Sequence, residues 1–228
     1  MELVNIVCVY WGSKYKPEYV QNLYNMVERH LTIPFNFICF TDHVNLHDLV
    51  KGNITFKKFH RHDMEGWWNK LQLFSDKSEL KGVNLYFDLD VVILKNIDCF
   101  ATWGDDLTFG IIRDFGQPKM LYNSSIMKWN NANATKLIWD KYFADRPRWR
   151  KVQGDQNVIT ELMQNQKSIL KPFPDDWSQS YKWLDRTQTR FHKSKWTFEQ
   201  DPKAKIAVFH GQPNPHESDQ KWVKDNWK

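Results

Sequence analysis

Two aspartates separated by one residue, Asp88 and Asp90, interrupt an otherwise apolar stretch running from Val83 to Leu94. In an extended segment, residues two apart point to the same side and lie roughly 6.6 Å apart along the strand. Both carboxylates can then face one divalent cation, and an oxygen-rich donor set suits Mn²⁺ or Mg²⁺ rather than a structural zinc. Buried carboxylates without a counter-charge cost several kcal/mol, which a bound metal removes. His210 ends the last apolar run and precedes Gly211, which lets backbone approach a ligand closely, so His210 is a third candidate ligand. Lys70 and Lys182 sit in aromatic sequence, Trp67-Trp68-Asn69-Lys70 and Tyr181-Lys182-Trp183, and are the lysines to consider first for an anion. His60, His62 and Asp63 form a rival metal set on paper, without the ligand spacing of a zinc site.

Other chemistries lack their sequence signatures. There is no GxxxxGK[ST] and no GxGxxG, so neither a phosphate loop nor a dinucleotide fingerprint is present. No G-x-S-x-G elbow appears, and Cys8, Cys39 and Cys99 lie in or beside apolar runs and not in a CxxC, as reduced core thiols do. The net charge of +5 is mild; it permits an anionic ligand and does not require nucleic acid. With no basic leader and no run near the roughly 20 apolar residues of a membrane helix, a cytoplasmic protein is expected.

The elements that must position these residues alternate. Leu3–Tyr10 reads as a buried strand ending at Trp11-Gly12, Pro17–Leu31 as an amphipathic helix, and Asn36–Thr41 as a second strand ending in Asp42. Strand, helix and strand in under about 45 residues make a βαβ unit, and strands buried on both faces read as continuous apolar runs. Further strands are expected at Ile54–Phe59, at Val83–Phe87 continuing through the aspartates, at Leu107–Ile112, Ile126–Trp129 and Ile206–Phe209. Helices are expected at Trp67–Phe74, Thr135–Phe143 and Asp155–Met163. The 228 residues fit one domain over 1–218, with 219–228 as a loosely held tail. In an open α/β sheet a ligand lies at the carboxyl ends of the strands, where Tyr10-Trp11-Gly12, Asp42 and Asp88-Leu89-Asp90 all fall. The aromatic surplus, 15% of the chain with 12 Trp, suits stacking on a base or a sugar ring.

Together these segments resemble the GT-A glycosyltransferases, and within them the retaining glycogenin-like and lipopolysaccharide galactosyltransferase-like group. Trp68-Asn69-Lys70-Leu71 followed by Tyr86-Phe87-Asp88-Leu89-Asp90-Val91-Val92 is similar to that family's Lys-Leu helix and DxD strand. Val9-Tyr10-Trp11 resembles its base-contacting turn, Asn123-Ser124-Ser125-Ile126 its donor-sugar segment with Ser125 in place of Gly, and Gly154-Asp155-Gln156-Asn157 its GDQ motif. Phe209-His210-Gly211-Gln212-Pro213 is similar to its late histidine motif.

The resemblance implies a single-domain α/β fold, a mixed Rossmann-like sheet flanked by helices, and transfer of a sugar from a nucleoside diphosphate sugar, a UDP-sugar, to an acceptor hydroxyl with retention. It implies Mn²⁺ or Mg²⁺ on Asp88, Asp90 and His210, and a donor nucleotide against Val9, Tyr10, Trp11, Gly12, Asp42, Lys70, Asp88, Lys182 and Gly211. Asp155, Gln156 and Asn123 become catalytic residues, Trp177 and Trp183 meet the acceptor, and the acceptor is a glycan, lipid or protein. Where the family carries a diphosphate-binding lysine this chain has Asn214-Pro215-His216, leaving Lys182, His216 or an arginine of the Arg148 cluster to replace it. A metal-dependent nuclease or phosphodiesterase using His60 and His62, and a sugar-nucleotide or glycan binder without turnover, are the competing readings.

Overall fold

The computed structural model describes residues 3–117, 121–130, 134–183 and 198–228. The first strand, β1 (Val4–Tyr10), is apolar on both faces because both are covered. Its Ile6 and Cys8 pack in one core with Val20, Leu23 and Val27 of α1 (Glu18–His30), while Val7 joins a second core with Leu71, Phe74, Ile138 and Val158. Next follow β2 (Phe35–Thr41), β3 (Ile54–Lys58) and β4 (Val83–Phe87), all parallel to β1 or to one another. Antiparallel β7 (Tyr122–Asn130) and β6 (Phe109–Arg113), with β8 (Leu170–Pro172), complete a seven-stranded sheet in the order β3-β2-β1-β4-β7-β6-β8. A smaller sheet, β5 (Val91–Ile93), β10 (Ile206–Val208) and β9 (Ser178–Ser180), carries the chain beyond the aspartates. This is the mixed α/β sheet flanked by helices that the sequence implies.

Cys8 and Cys39 are direct partners in the β1–β2 register, yet both are free thiols, and burial pushes the Cys8 thiol further up from its ordinary pKa. Among the described residues no helix is long and apolar enough to cross a membrane.

Four expectations are corrected. The single strand expected on both sides of the aspartates is two strands in different sheets, and Asp88-Leu89-Asp90 is the turn that passes between them. The short strand expected at Ile126–Trp129 begins at Tyr122: its register against β6 jumps from Asn123↔Ile112 to Met127↔Ile111, so Ser124, Ser125 and Ile126 bulge from that ladder. Asp88 N–H donates to the Ser125 carbonyl at 2.9 Å and keeps polar Asn123-Ser124-Ser125 in the sheet. The Trp67–Phe74 helix is a 3₁₀ helix over Gly66–Phe74, which puts Trp67, Lys70 and Leu73 on one ridge, because 3₁₀ residues three apart eclipse.

The tail is the fourth. Residues Lys221–Asn226 form a helix whose Val223 is fully buried, Trp227 packs on Tyr19 at 4.9 Å, and Trp222 Nε1 donates to the Phe198 carbonyl at 2.8 Å. Short apolar spacing in a lysine-rich segment hides such an anchor from a reading of composition. Val223→Ala is expected to lower unfolding free energy by about 1–3 kcal/mol, and Lys224→Ala on the solvent side to stay within about 0.5 kcal/mol of the native protein, in urea titrations.

Candidate active site

The carboxyl ends of β1 and β4 open on a cavity of about 760 Å³, within the range of small-ligand sites. It lies where β2 and β4 leave β1 on opposite sides, the switch point at which open α/β sheets collect ligands. Of the residues singled out from sequence, Val9, Trp11, Lys70, Asp88, Asp90, Asn123, Asp155, Gln156, Lys182, Trp183, His210 and Gly211 line this one cavity.

Its floor is built around Lys70, which retains 5% of its surface exposure. The ammonium meets Asp88 Oδ1 at 2.9 Å, Asp155 Oδ2 at 3.2 Å and Ser124 Oγ at 3.0 Å, and lies 5.1 Å from the centre of the Tyr86 ring. Ser124 Oγ donates to Asp155 Oδ2 at 2.6 Å, and Tyr86 Oη donates to Asp88 Oδ1 at 2.6 Å. Burial opposes the charge on Lys70, but Asp155 and Asp88 outweigh it and hold the ammonium protonated well beyond its usual range. Burial likewise opposes ionisation of Asp88, and Lys70 with the Tyr86 hydroxyl overcomes it, so the Asp88 pKa falls.

Asp90 is in a different state. Its Oδ2 accepts from Tyr15 Oη at 2.8 Å, and burial together with the neighbouring Asp88 charge pushes its pKa up to about 6. Burial and Asp90 also raise the pKa of Tyr15, keeping that phenol a donor. Lys14 Nζ caps the chain with a 2.6 Å bond to Tyr15 Oη.

The expected metal set is not assembled as three converging ligands: among the described residues no group of three or more His, Cys, Asp or Glu side chains does so. Phe209 N–H donates to the Asp90 carbonyl at 3.1 Å and brings β10 beside it, yet His210 Nε2 pairs with Ser180 Oγ at 2.6 Å and its ring stacks on Phe115. The donor chemistry fits a divalent cation at Asp90, since its carboxylate stands next to a second carboxylate and its hydrogen bond comes from a neutral phenol.

Of the three possible substitutes for the diphosphate lysine, Lys182 is in the cavity. Its ammonium donates to the Gln212 carbonyl at 2.8 Å and lies 3.7 Å from where a Cβ on Gly211 would stand; Gly211 has φ +78°, a conformation that glycine alone adopts without strain. Burial lowers the Lys182 pKa against the pull of Asp90. His216 Nδ1 is instead 2.5 Å from Tyr19 Oη, and Arg148 pairs with Glu161 on the surface.

Some expected residues stand back from the cavity. Asp42 accepts from Gly12 N at 3.1 Å, and buried Tyr10 donates to the Tyr15 carbonyl at 3.0 Å, so these three shape the turn that presents Trp11. Trp177 packs against Phe100 and Trp103 at 5.1 and 5.2 Å in an aromatic core, which removes it from the acceptor assignment. His60 packs on Trp139, and Asp63 is held by Arg61 and Arg146, so the rival metal set is dispersed. Sequence reasoning missed Tyr15, Tyr86 and Ser124. Tyr86 carried a signal, being two residues before Asp88 on the same strand face; Tyr15, 75 residues from Asp90, carried none.

At the sequence level no family model matches this chain, nor does any curated protein. Solved structures do. LgtC, a galactosyltransferase, matches over 97% of this chain and 93% of its own at 13% identity, with a TM-score of 0.68. The glycosyltransferase GlyE of Streptococcus pneumoniae matches over 94% of this chain and 56% of its own at 13% identity and TM-score 0.66. Mouse xyloside xylosyltransferase 1 matches over 92% and 97% at 14% identity and TM-score 0.57. The chain has the fold of GT-A glycosyltransferases. At these identities the likeness is one of backbone, and the side chains in the cavity must speak for the chemistry.

A carboxyl whose pKa is raised on folding favours the protein while protonated, and this stability is lost as pH climbs from its unfolded value through about 6. Asp90→Asn is therefore expected to raise the melting temperature in chelator at pH 7.5 by a few degrees, with the gain shrinking toward pH 4, in a thermal-unfolding pH series.

Proposed function

We propose that this protein is a glycosyltransferase that moves a sugar from a nucleoside diphosphate sugar, a UDP-sugar, to an acceptor hydroxyl with retention of anomeric configuration, and that it works with Mn²⁺ or Mg²⁺. The supporting observation is that one cavity at the switch point gathers Lys70, Asp88, Asp90, Asn123, Asp155, Gln156, Lys182 and His210 from segments far apart in sequence.

The hard step is departure of the diphosphate, because negative charge grows on the leaving oxygen while the anomeric carbon becomes cationic. A divalent cation held at Asp90 beside Asp88 would neutralise that oxygen as a Lewis acid, with His210 as a third ligand only on release from Ser180 Oγ. The Lys182 ammonium adds positive charge at the diphosphate, in place of the family's lysine. Trp11 offers its ring to the base at the end of β1. Asp155 and Gln156 orient donor-sugar and acceptor hydroxyls, and Lys70 fixes the Asp155 carboxylate for that task. Asn123, whose Oδ1 already accepts from Ser125 N–H at 2.9 Å, turns its amide to the anomeric face. The C1–O bond to phosphate breaks, the C1–O bond to the acceptor forms, and the acceptor proton passes to the departing phosphate. No separate base is required, which agrees with retention. The acceptor hydroxyl belongs to a glycan, lipid or protein, and a diphosphate accounts for the mild positive charge without nucleic acid. The reaction is assigned to the cytoplasm, where the three thiols stay reduced.

Titration calorimetry with UDP tests this reading. UDP is expected to bind at least tenfold more tightly with Mn²⁺ than with chelator, Asp90→Ala to abolish that difference, and Lys182→Ala to weaken binding in both conditions. Equal affinity with and without Mn²⁺, unaltered by Asp90→Ala, would falsify the metal assignment. Slow hydrolysis of a UDP-sugar separates an enzyme from a binder without turnover.

A further inference from the structure

Trp67 is the one described tryptophan with most of its surface exposed, at 57%, and it lies on the cavity wall. Three features fix it there. The 3₁₀ helix sets Trp67 one turn before Lys70 on the same ridge, roughly 6 Å along the axis. On its inner side the indole lies against Gly154, where even an added Cβ would meet Trp67 Nε1 at an ordinary contact distance of 3.4 Å, so the ring packs on this backbone. Gly154 in turn caps the helix that begins with Asp155 and Gln156. An exposed indole is thus held beside the residues that face the donor sugar, and the neighbouring lining is amide: Gln153, Gln156 and Asn157.

This combination has a chemistry. The ring carries negative charge on its face, which attracts the weakly positive C–H groups on one side of a pyranose, while side-chain amides donate to and accept from its hydroxyls. A hydrocarbon chain has no use for three amides, whereas a single pyranose ring engages the indole face and the amides together.

We infer that Trp67 with Gln153, Gln156 and Asn157 forms the acceptor subsite, and that the acceptor is a carbohydrate whose terminal ring stacks on Trp67. The inference rests on the sugar-transfer reading for the name acceptor, but saccharide binding at Trp67 is measured separately from UDP binding. It replaces Trp177, which packs half-buried against Phe100 and Trp103 and does not line the cavity.

The experiment uses the full chain on an array of tagged mono-, di- and trisaccharides, with saturation-transfer NMR on those that bind. Native protein is expected to bind a subset through one ring, Trp67→Ala to weaken it at least tenfold, and Trp67→Phe to retain it within threefold. UDP affinity measured in parallel should remain within twofold and reports that the fold survives. Equal saccharide binding by Trp67→Ala, or no saccharide bound by the native protein, overturns the inference; so does transfer to a protein or lipid hydroxyl alone. Loss of UDP binding in the native protein with Trp67-dependent saccharide binding intact would instead sink the sugar-transfer reading.

Discussion

A single buried ammonium holds the two halves of this site together. Lys70 comes from a 3₁₀ helix, Asp88 from the end of β4, Ser124 from the bulge in β7 and Asp155 from the first turn of a helix 85 residues beyond Lys70. Desolvating three charges is expensive, and the Coulomb gain offsets it only because the remaining donors and acceptors are also met, by Tyr86 and the Ser124 hydroxyl. Removing Lys70 leaves both carboxylates buried without their counter-charge. The geometry of the cavity floor is therefore set by charge balance, whereas the sheet behind it is set by apolar packing.

That balance also explains why the two aspartates, nearly adjacent in sequence, differ. Lys70 satisfies Asp88, and the turn at Leu89-Asp90 swings the second carboxylate to Tyr15, where it makes no such ion pair among the described residues. The result is one carboxylate locked ionised and another poised near neutrality beside the cavity, the electrostatic demand that a cationic ligand answers. Lys14 and Lys182, also on the cavity wall, extend positive charge outward from this centre, where an anion entering from solvent meets it.

The fold was largely legible in sequence because parallel strands covered on both faces read as near-continuous apolar runs, as Ile6–Tyr10 and Phe37–Phe40 do, and because helix periodicity marks α1. What escaped reading depended on partners distant along the chain. The start of β7 at Tyr122 stays hidden until Ser125 is seen to receive the Asp88 amide. Asp88 and Asp90 read as one strand face until β5 is seen to pair with β10 in another sheet. Trp177 and Trp67 are indistinguishable by type, yet one is closed in by Phe100, Trp103 and Phe173 and the other stands open over Gly154. The motifs located the cavity well; the division of labour within it needed the hydrogen bonds.

Denaturant unfolding of a charge-deletion series tests the central role of Lys70 most directly. Lys70→Met alone should lose about 3–5 kcal/mol, because it strands two buried carboxylates, and adding Asp88→Asn with Asp155→Asn should restore most of that loss. A Lys70→Met protein within about 1 kcal/mol of the native one, or a triple variant no more stable than the single, would contradict the view that this ammonium organises the site.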